Sequence, residues 1–406
     1  MRDRRSNDVA ASSRVSLAIC LAGLVLAGCV SGPAPPRDWH DPATTSTPSI
    51  SEPVVVAPEP AVVPAPPIQN RPAATPPPAL PTIPALLATT KQWVPLLDWS
   101  KENGLSSRRL TPAPTPTYIV SGINGVLTLC AGSELAQWNG LELYLGFAPR
   151  VINGQPCVQV LDVSKTMQPL LRDAPSLDLG VNPVVVLDPG HGGGDSGAKN
   201  VANGHYEKEF TLDWALRLRQ LLATNGWRVF LTRSTDTEIA ISNRVTFAEE
   251  HKGSLFLSLH FNSAAPSQSE SGLETYCVTP TGLPSNLARG LDDPRLILPN
   301  NAFDVQNLAL ALAVHRALLQ TNGNHDRGVR KTRYPGVLRG QQRPAILIEG
   351  GYLSNPREAR LIADPAYRQK LAEAVASALN SQRRAGNQVA SRQPAASTNL
   401  GVLRQP

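Results

Sequence analysis

Five largely apolar runs of strand length recur in the second half of the chain: Val184–Asp188, Arg228–Thr232, Leu255–Leu259, Leu273–Val278 and Ala345–Glu349. A strand with one wet face alternates apolar and polar residues, whereas a near-continuous apolar run is buried on both faces. Between the runs lie stretches with helical spacing. Phe210, Trp214, Leu218, Leu221 and Leu222 share one helical face, which ends at Asn225-Gly226, and Val305–Leu319 and Tyr367–Leu379 read as further helices. Strands alternating with helices predict an α/β domain over 183–382, with a largely parallel twisted sheet flanked by helices. The polar stretch 383–406 reads as a disordered tail.

Ahead of this domain, residues 92–171 predict a small β-rich module. Trp93 to Trp99 opens a short helix, and three hairpins follow: Thr117–Ile123 with Val126–Cys130, Ala136–Gly140 with Leu141–Leu145, and Val151–Gly154 with Cys157–Leu161. Asn124-Gly125, Asn139-Gly140 and Asn153-Gly154 are the turn signals, because tight hairpins need positive φ at their centre. The pattern resembles the small β-rich domain first known from the N-terminus of copper amine oxidases, with no implication of copper. A generic β module with packing or binding duties fits equally. Residues 29–91 are different in kind. Seventeen prolines fall among the sixty residues from Ser31 to Thr90. Such a stretch buries too little surface to offset its ordering, and it reads as a disordered linker with a reach on the order of 150 Å.

The first 28 residues read as a processing signal, a basic start followed by the apolar run Val15 to Ala27. The ending Leu26-Ala27-Gly28-Cys29 resembles the lipobox of bacterial lipoproteins. The resemblance implies cleavage before Cys29, lipidation of its thiol, and a lipid-anchored place in the cell envelope, in the periplasm. Val30, where an Asp would signal inner-membrane retention, implies the outer membrane. An ordinary signal peptide or a short anchor helix is the alternative. The net charge of +6 falls to +4 without this segment. No Lys/Arg block of the nucleic-acid-gripping kind is present. Cys130 and Cys157 fall in the module and are expected either to pair in an oxidising compartment or to remain buried thiols. No CxxC motif or Cys/His metal spacing occurs.

Chemistry concentrates in four segments. Leu187-Asp188-Pro189-Gly190-His191-Gly192-Gly193-Gly194-Asp195 sets a His in a glycine-rich loop just past a strand. The loop lacks the phosphate-cradling patterns GxxxxGK[ST] and GxGxxG. Tyr206-Glu207-Lys208-Glu209 opens the long helix. Ser258-Leu259-His260-Phe261-Asn262 ends the third strand, and Ile348-Glu349-Gly350-Gly351-Tyr352-Leu353-Ser354-Asn355 ends the last. Ligands of open α/β folds gather at the carboxyl ends of strands. Two His and one carboxylate leave a fourth position on zinc for water, and a second carboxylate can take a proton.

These segments together resemble the zinc-dependent N-acetylmuramoyl-L-alanine amidases of the type 3 family, from about Val184 to Leu379. The resemblance implies that His191, Glu207 and His260 bind Zn²⁺ and that Glu349 is the catalytic acid/base. It implies a peptidoglycan substrate, cut between N-acetylmuramic acid and L-alanine. Leu231-Thr232-Arg233 with Asp236, Asn243-Arg244, and Arg327-Gly328-Val329-Arg330 match as well, in structural roles ahead of substrate contact. Glu209, His205, His315 and His325 are the alternative ligands. Phe261 stands where relatives carry a small residue, and is expected at the cleft floor. Thr279 to Ala302 is expected to line the substrate groove. Some family members hold an inhibitory helix at about this place, released by an activator protein, so self-inhibition and an activator partner stay open. A monomer is expected. The competing functions are a zinc peptidase acting within the stem peptide and a non-catalytic wall-binding lipoprotein.

Overall fold

The structure, a computed structural model, describes residues 93–392 except 113–114, 174–176, 178, 181 and 289–291. The signal segment, Cys29 and all of the linker lie outside the described residues, as does the tail beyond Arg392. Among the described residues no helix is long and apolar enough to cross a membrane.

The N-terminal part begins with β1 (Trp93–Pro95) and α1 (Leu96–Glu102). A meander follows, of β2 (Ser106–Arg109), β3 (Thr117–Gly122), β4 (Gly125–Cys130), β5 (Leu135–Trp138) and β6 (Leu141–Tyr144). Next come β7 (Arg150–Ile152), β8 (Gln155–Gln159) and a helical run over 160–173. The tight turns are where the Asn-Gly pairs put them: Asn139 and Asn153 have φ of 50°, and Gly140 and Gly154 follow at 81° and 78°. Buried and more exposed residues alternate along β3 and β6. Val120, Leu127, Leu129 and Leu143 therefore fall in the core together with Met167 and Leu171 of the helical run.

The C-terminal part contains β9 (Val184–Pro189), α2 (Glu207–Thr224), β10 (Arg228–Leu231), α3 (Ile241–Glu250), β11 (Leu255–Asn262) and β12 (Leu273–Val278). It continues with α4 (Asp304–Asn322), β13 (Asp326–Thr332), α5 (Gly336–Arg339), β14 (Ala345–Tyr352), α6 (Pro356–Ala363) and α7 (Pro365–Arg392). The five expected strands are all present. β10, β9, β11 and β14 pair in parallel, in that order. β12 runs against β14, and β13 runs parallel to β12. The sheet does not stop there. Val329 of β13 registers with Leu143 of β6 in parallel, and the meander extends the same sheet to eleven strands, while β1, β8 and β7 form a separate sheet of three.

The two faces of the sheet have different cover. Leu257, Leu259, Phe261 and Ile348 join Trp214, Leu218, Val314 and Leu371 in one apolar cluster on the side of α2, α4 and α7. Val186, Phe256, Tyr276 and Leu347 join Ala248, Val337 and Leu338, the contribution of α3 and α5, on the other. Each fully buried Leu, Ile or Phe contributes about 1.5–3 kcal/mol by burial. α4 closes on Gly323, left-handed at φ 62°, whose N–H bonds to Leu319 O. Asn355 caps α6 by accepting from the N–H groups of Arg357 and Glu358, with Pro356 at the first helical position. α7 runs past the expected domain end at Gln382.

Two expectations change, and of the two alternatives for Cys130 and Cys157 the structure has the buried thiols. Phe261 is fully buried against Trp214, ring centroids 5.4 Å apart, because alternation along β11 sends His260 to one face and Phe261 to the other. It is a core residue, not the cleft floor. Cys130 and Cys157 are not bonded to each other: one lies on β4 and the other on β8, in different sheets. The described residues of Thr279 to Ala302 do not line the cleft either. β12 pairs backwards, Glu274 opposite Glu349 and Tyr276 opposite Leu347, so the segment after Val278 leaves at the start of β14. There Asn300 Nδ2 donates to Arg343 O, and Arg333 ties Asp292 and the carbonyls of Pro280 and Leu283.

Candidate metal centre

The end of β9 is built around a buried carboxylate. Asp188 is fully buried and accepts from Thr232 Oγ1 (2.6 Å), Arg244 Nη1 (2.7 Å) and Ser258 Oγ (2.8 Å). Burial alone would raise its carboxyl, but Arg244 and these hydrogen bonds hold it below the ordinary value. Arg244 also donates to Pro189 O and His191 O, and Arg233 to Pro189 O and Gly190 O. Both arginines thus bind backbone carbonyls, and they fix the loop that carries His191.

That loop is tight. His191 has φ 62°, a left-handed conformation that costs an L-residue about 1–2 kcal/mol. Gly192 and Asp195 close it with reciprocal backbone hydrogen bonds. A side chain on Gly190 would begin 2.2 Å from His260 Cε1, so only glycine lets the two segments meet.

His191, Glu207 and His260 converge, with one ligand atom from each lying within 4.8 Å of the others. His191 Nε2 is 3.1 Å from Glu207 Oε2, and His260 Nδ1 is 3.0 Å from Glu207 Oε1. Glu207 is 1% exposed, at the first turn of α2. Its oxygens also accept the N–H groups of Phe261 and Ala198, each at 3.0 Å, which fixes the carboxylate plane. The other nitrogen of His191, Nδ1, lies 2.8 Å from Asp195 Oδ1, the carboxylate–histidine support that selects a tautomer and frees Nε2. Burial opposes charge on His191, yet Glu207 and Asp195 outweigh it and hold the ring up at about 10. Burial likewise opposes the charge on Glu207, and the two imidazoles hold it well below the usual carboxylate range. The convergence offers a cation two imidazole nitrogens and a carboxylate oxygen. Two imidazoles and one carboxylate suit zinc, with a position left for water or substrate. The donor set fits the metal.

Glu349 stands beside this group. It registers with His260 across the parallel β11/β14 pair and with Glu274 across β12. Side chains in register share a face, so Glu349, His260 and Glu274 point the same way. Glu274 is 2% exposed and accepts from Asn262 (2.8 Å), Tyr352 (3.1 Å), Arg327 (2.6 Å) and Tyr276. Burial would raise its carboxyl, but Arg330 and Arg327 keep it below the ordinary value. The Ser354-Asn355 pair serves the rim: Ser354 Oγ accepts from Ala264 N, and Asn355 donates to Gln268 O.

The alternative ligands lie elsewhere. Glu209 Oε1 accepts from Tyr206 N and Oε2 pairs with His205. His315 is buried between Thr275 and Asp326, and His325 is exposed before β13. The sequence reading missed Asp195 and Glu274. Asp195, four residues after His191 in a glycine-rich loop, was a readable signal. So was Glu274, one carboxylate inside an apolar strand.

Residues 185–381 match the family described as N-acetylmuramoyl-L-alanine amidase. The chain is 31% identical over 215 residues to the N-acetylmuramoyl-L-alanine amidase AmiA of Escherichia coli (strain K12), covering 48% of this chain and 73% of that one. The chain belongs to this amidase family. AmiC of Neisseria meningitidis serogroup B is 27% identical over 323 residues, covering 68% of this chain and 76% of its own. Among solved structures, the catalytic domain of CwlV from Bacillus (Paenibacillus) polymyxa var. colistinus is 31% identical, with a TM-score of 0.42. It covers 50% of this chain and 98% of its own. The family's span contains all four segments singled out above.

Proposed function

We propose that this amidase is a zinc-dependent peptidoglycan hydrolase that cleaves the amide between N-acetylmuramic acid and the L-alanine of the stem peptide. The observation that carries the reading is the convergence of His191, Glu207 and His260 on one point, with Glu349 in register beside His260. His191 through Nε2, Glu207 through its carboxylate and His260 through Nδ1 would hold the metal. Bound there, zinc supplies a Lewis acid that polarises the lactyl-amide carbonyl and makes water acidic near neutral pH. Asp195 keeps the His191 ring oriented. Ala198 N and Phe261 N keep Glu207 from turning. Glu349 takes the proton from the attacking water and returns it to the nitrogen of the departing L-alanine. We place the protein in the cell envelope, in the periplasm, held by a lipid on Cys29 and facing the wall across the proline-rich stretch.

The test is digestion of purified cell wall by the zinc-loaded full chain, with mass spectrometry of the soluble products. Stem peptides that begin at L-alanine are expected. Peptides cut internally would move the assignment to a peptidase of the same metal chemistry. Absence of any release from wall by zinc-loaded protein would remove the hydrolase reading.

A further inference from the structure

Beyond the metal centre, the face of the sheet that carries His260 continues across Glu349 and Glu274 to Arg327. The sequence around Arg327 explains how it arrives there. Leu273 and Thr275 of β12 register with Asp326 and Val329 of β13, so β13 uses one residue more than its partner. This is a bulge, and bulges re-aim side chains beside active sites. Gly328, at φ 86°, supplies the backbone conformation it needs, in close contact with Tyr144 and Glu142 of β6. The bulge turns Arg327 onto the face that carries Arg330, Glu274 and Glu349.

Arg327 holds two carboxylates of unlike standing. Its Nε donates to Glu274 at 2.6 Å, a buried and multiply bonded anchor. Its Nη1 donates at 2.8 Å to Oε2 of Glu270, whose side chain is 26% exposed on the rim between β11 and β12. The strands carrying Glu349 and Arg327 are two spacings apart, about 10 Å. The Arg327 side chain reaches back over the strand between them. A peptide advances about 3.5 Å per residue. The residue after L-alanine in a stem peptide is a glutamate joined through its side chain, which leaves an α-carboxylate, or an α-carboxamide, one residue beyond the cut, and the reach of Arg327 back to Glu274 on β12 covers the rest of the gap.

We propose that the outer side of the Arg327 guanidinium is a carboxylate subsite for the departing stem peptide, held by Glu270 until substrate displaces it. The inference rests on the amidase reading for the identity of the peptide. It assigns Glu274 as the residue that positions Arg327, and Glu270 as an internal competitor.

Titration calorimetry of the full chain tests it with two peptides, L-Ala-γ-D-Glu-L-Lys amide and its isoglutamine counterpart. A charge-assisted hydrogen bond of this kind predicts at least about tenfold tighter binding of the carboxylate form. In Arg327→Gln the ratio of the two affinities should fall to near one, and in Glu270→Gln the carboxylate form should bind severalfold tighter. Equal affinities in the unmodified chain, a preference that survives Arg327→Gln, or no binding of either peptide would each overturn the subsite. A preference that depends on Arg327, in a chain that releases nothing from wall, would keep the subsite and remove the amidase reading.

Discussion

Gly190 and His260 touch across the β9/β11 pair so closely that a single methyl group on Gly190 would run into the His260 ring. A Cβ on Gly190 would lie 2.2 Å from His260 Cε1 and 2.5 Å from its Nε2. Gly190→Ala should therefore lower zinc affinity by about 10–100-fold, the range seen when support of a metal ligand is lost, although no ligand is altered. Competition against a chromogenic chelator measures it. Affinity unchanged from the parent would mean that His260 has room to move that the packing does not show.

The proposed mechanism makes Glu349 and the metal separable in function. Glu349→Ala should keep stoichiometric zinc and lose about 10²–10⁴ in rate, the usual weight of a positioned acid/base. Chelator-stripped protein should lose wall cleavage and regain it when zinc is returned. Metal analysis beside the rate assay checks both. An alanine variant that cuts wall at the parent rate would take Glu349 out of the mechanism.

Asp188 and Arg244 form a buried pair at 2.7 Å. Arg244→Met leaves the Asp188 carboxylate uncompensated and should cost about 3–5 kcal/mol, read by urea unfolding. The pair also gives stability a sign with pH. The folded Asp188 carboxyl lies below its ordinary value of 3.8. Its contribution is present in full above 3.8, and is lost as pH falls below that value toward the folded one. The stability difference between parent and Arg244→Met should accordingly narrow at the acid end, and a difference that widens there would contradict the assignment.

Lys331 is 1% exposed, and its Nζ bonds to Tyr144 O at 2.7 Å. Burial pushes its ammonium down, with Asp162 the first charge to oppose the shift. Both partners belong to the N-terminal part. A fragment that begins at Pro183 would uncover Lys331 and the β13 edge together. It should unfold at lower temperature than the full chain and self-associate, since a bare edge invites pairing. Thermal unfolding and size-exclusion chromatography of the two proteins decide this.

What could be read from the sequence followed from chemistry that leaves a local mark. The apolar runs of β9, β11 and β14 carry burial on both faces, and the segments at their ends, with the one that opens α2, carry His191, Glu207, His260 and Glu349. β13 stayed hidden because its inward charges, Arg327, Arg330 and Lys331, are neutralised by groups distant in sequence, so a buried strand reads as a polar one. The direction of β12 is not written in Leu273–Val278 either. A largely apolar strand of six fits both orientations, and only pairing with β14 sets the choice. Phe261 was misplaced for a similar reason, because alternation tells which residues share a face but not which face holds the metal.

The reversal of β12 gives the two ends of this protein unequal freedom to change. Segments grafted between Thr279 and Ala302 emerge at the end of the sheet remote from the chemistry, where added length meets solvent and the Arg333 tether. The ten residues from Ser263 to Gly272 emerge at the rim and are pinned by Ser354, Asn355 and Arg327. Natural or engineered variety in this enzyme should collect at the first site and be refused at the second, so the molecule can acquire new attachments without altering what it cuts.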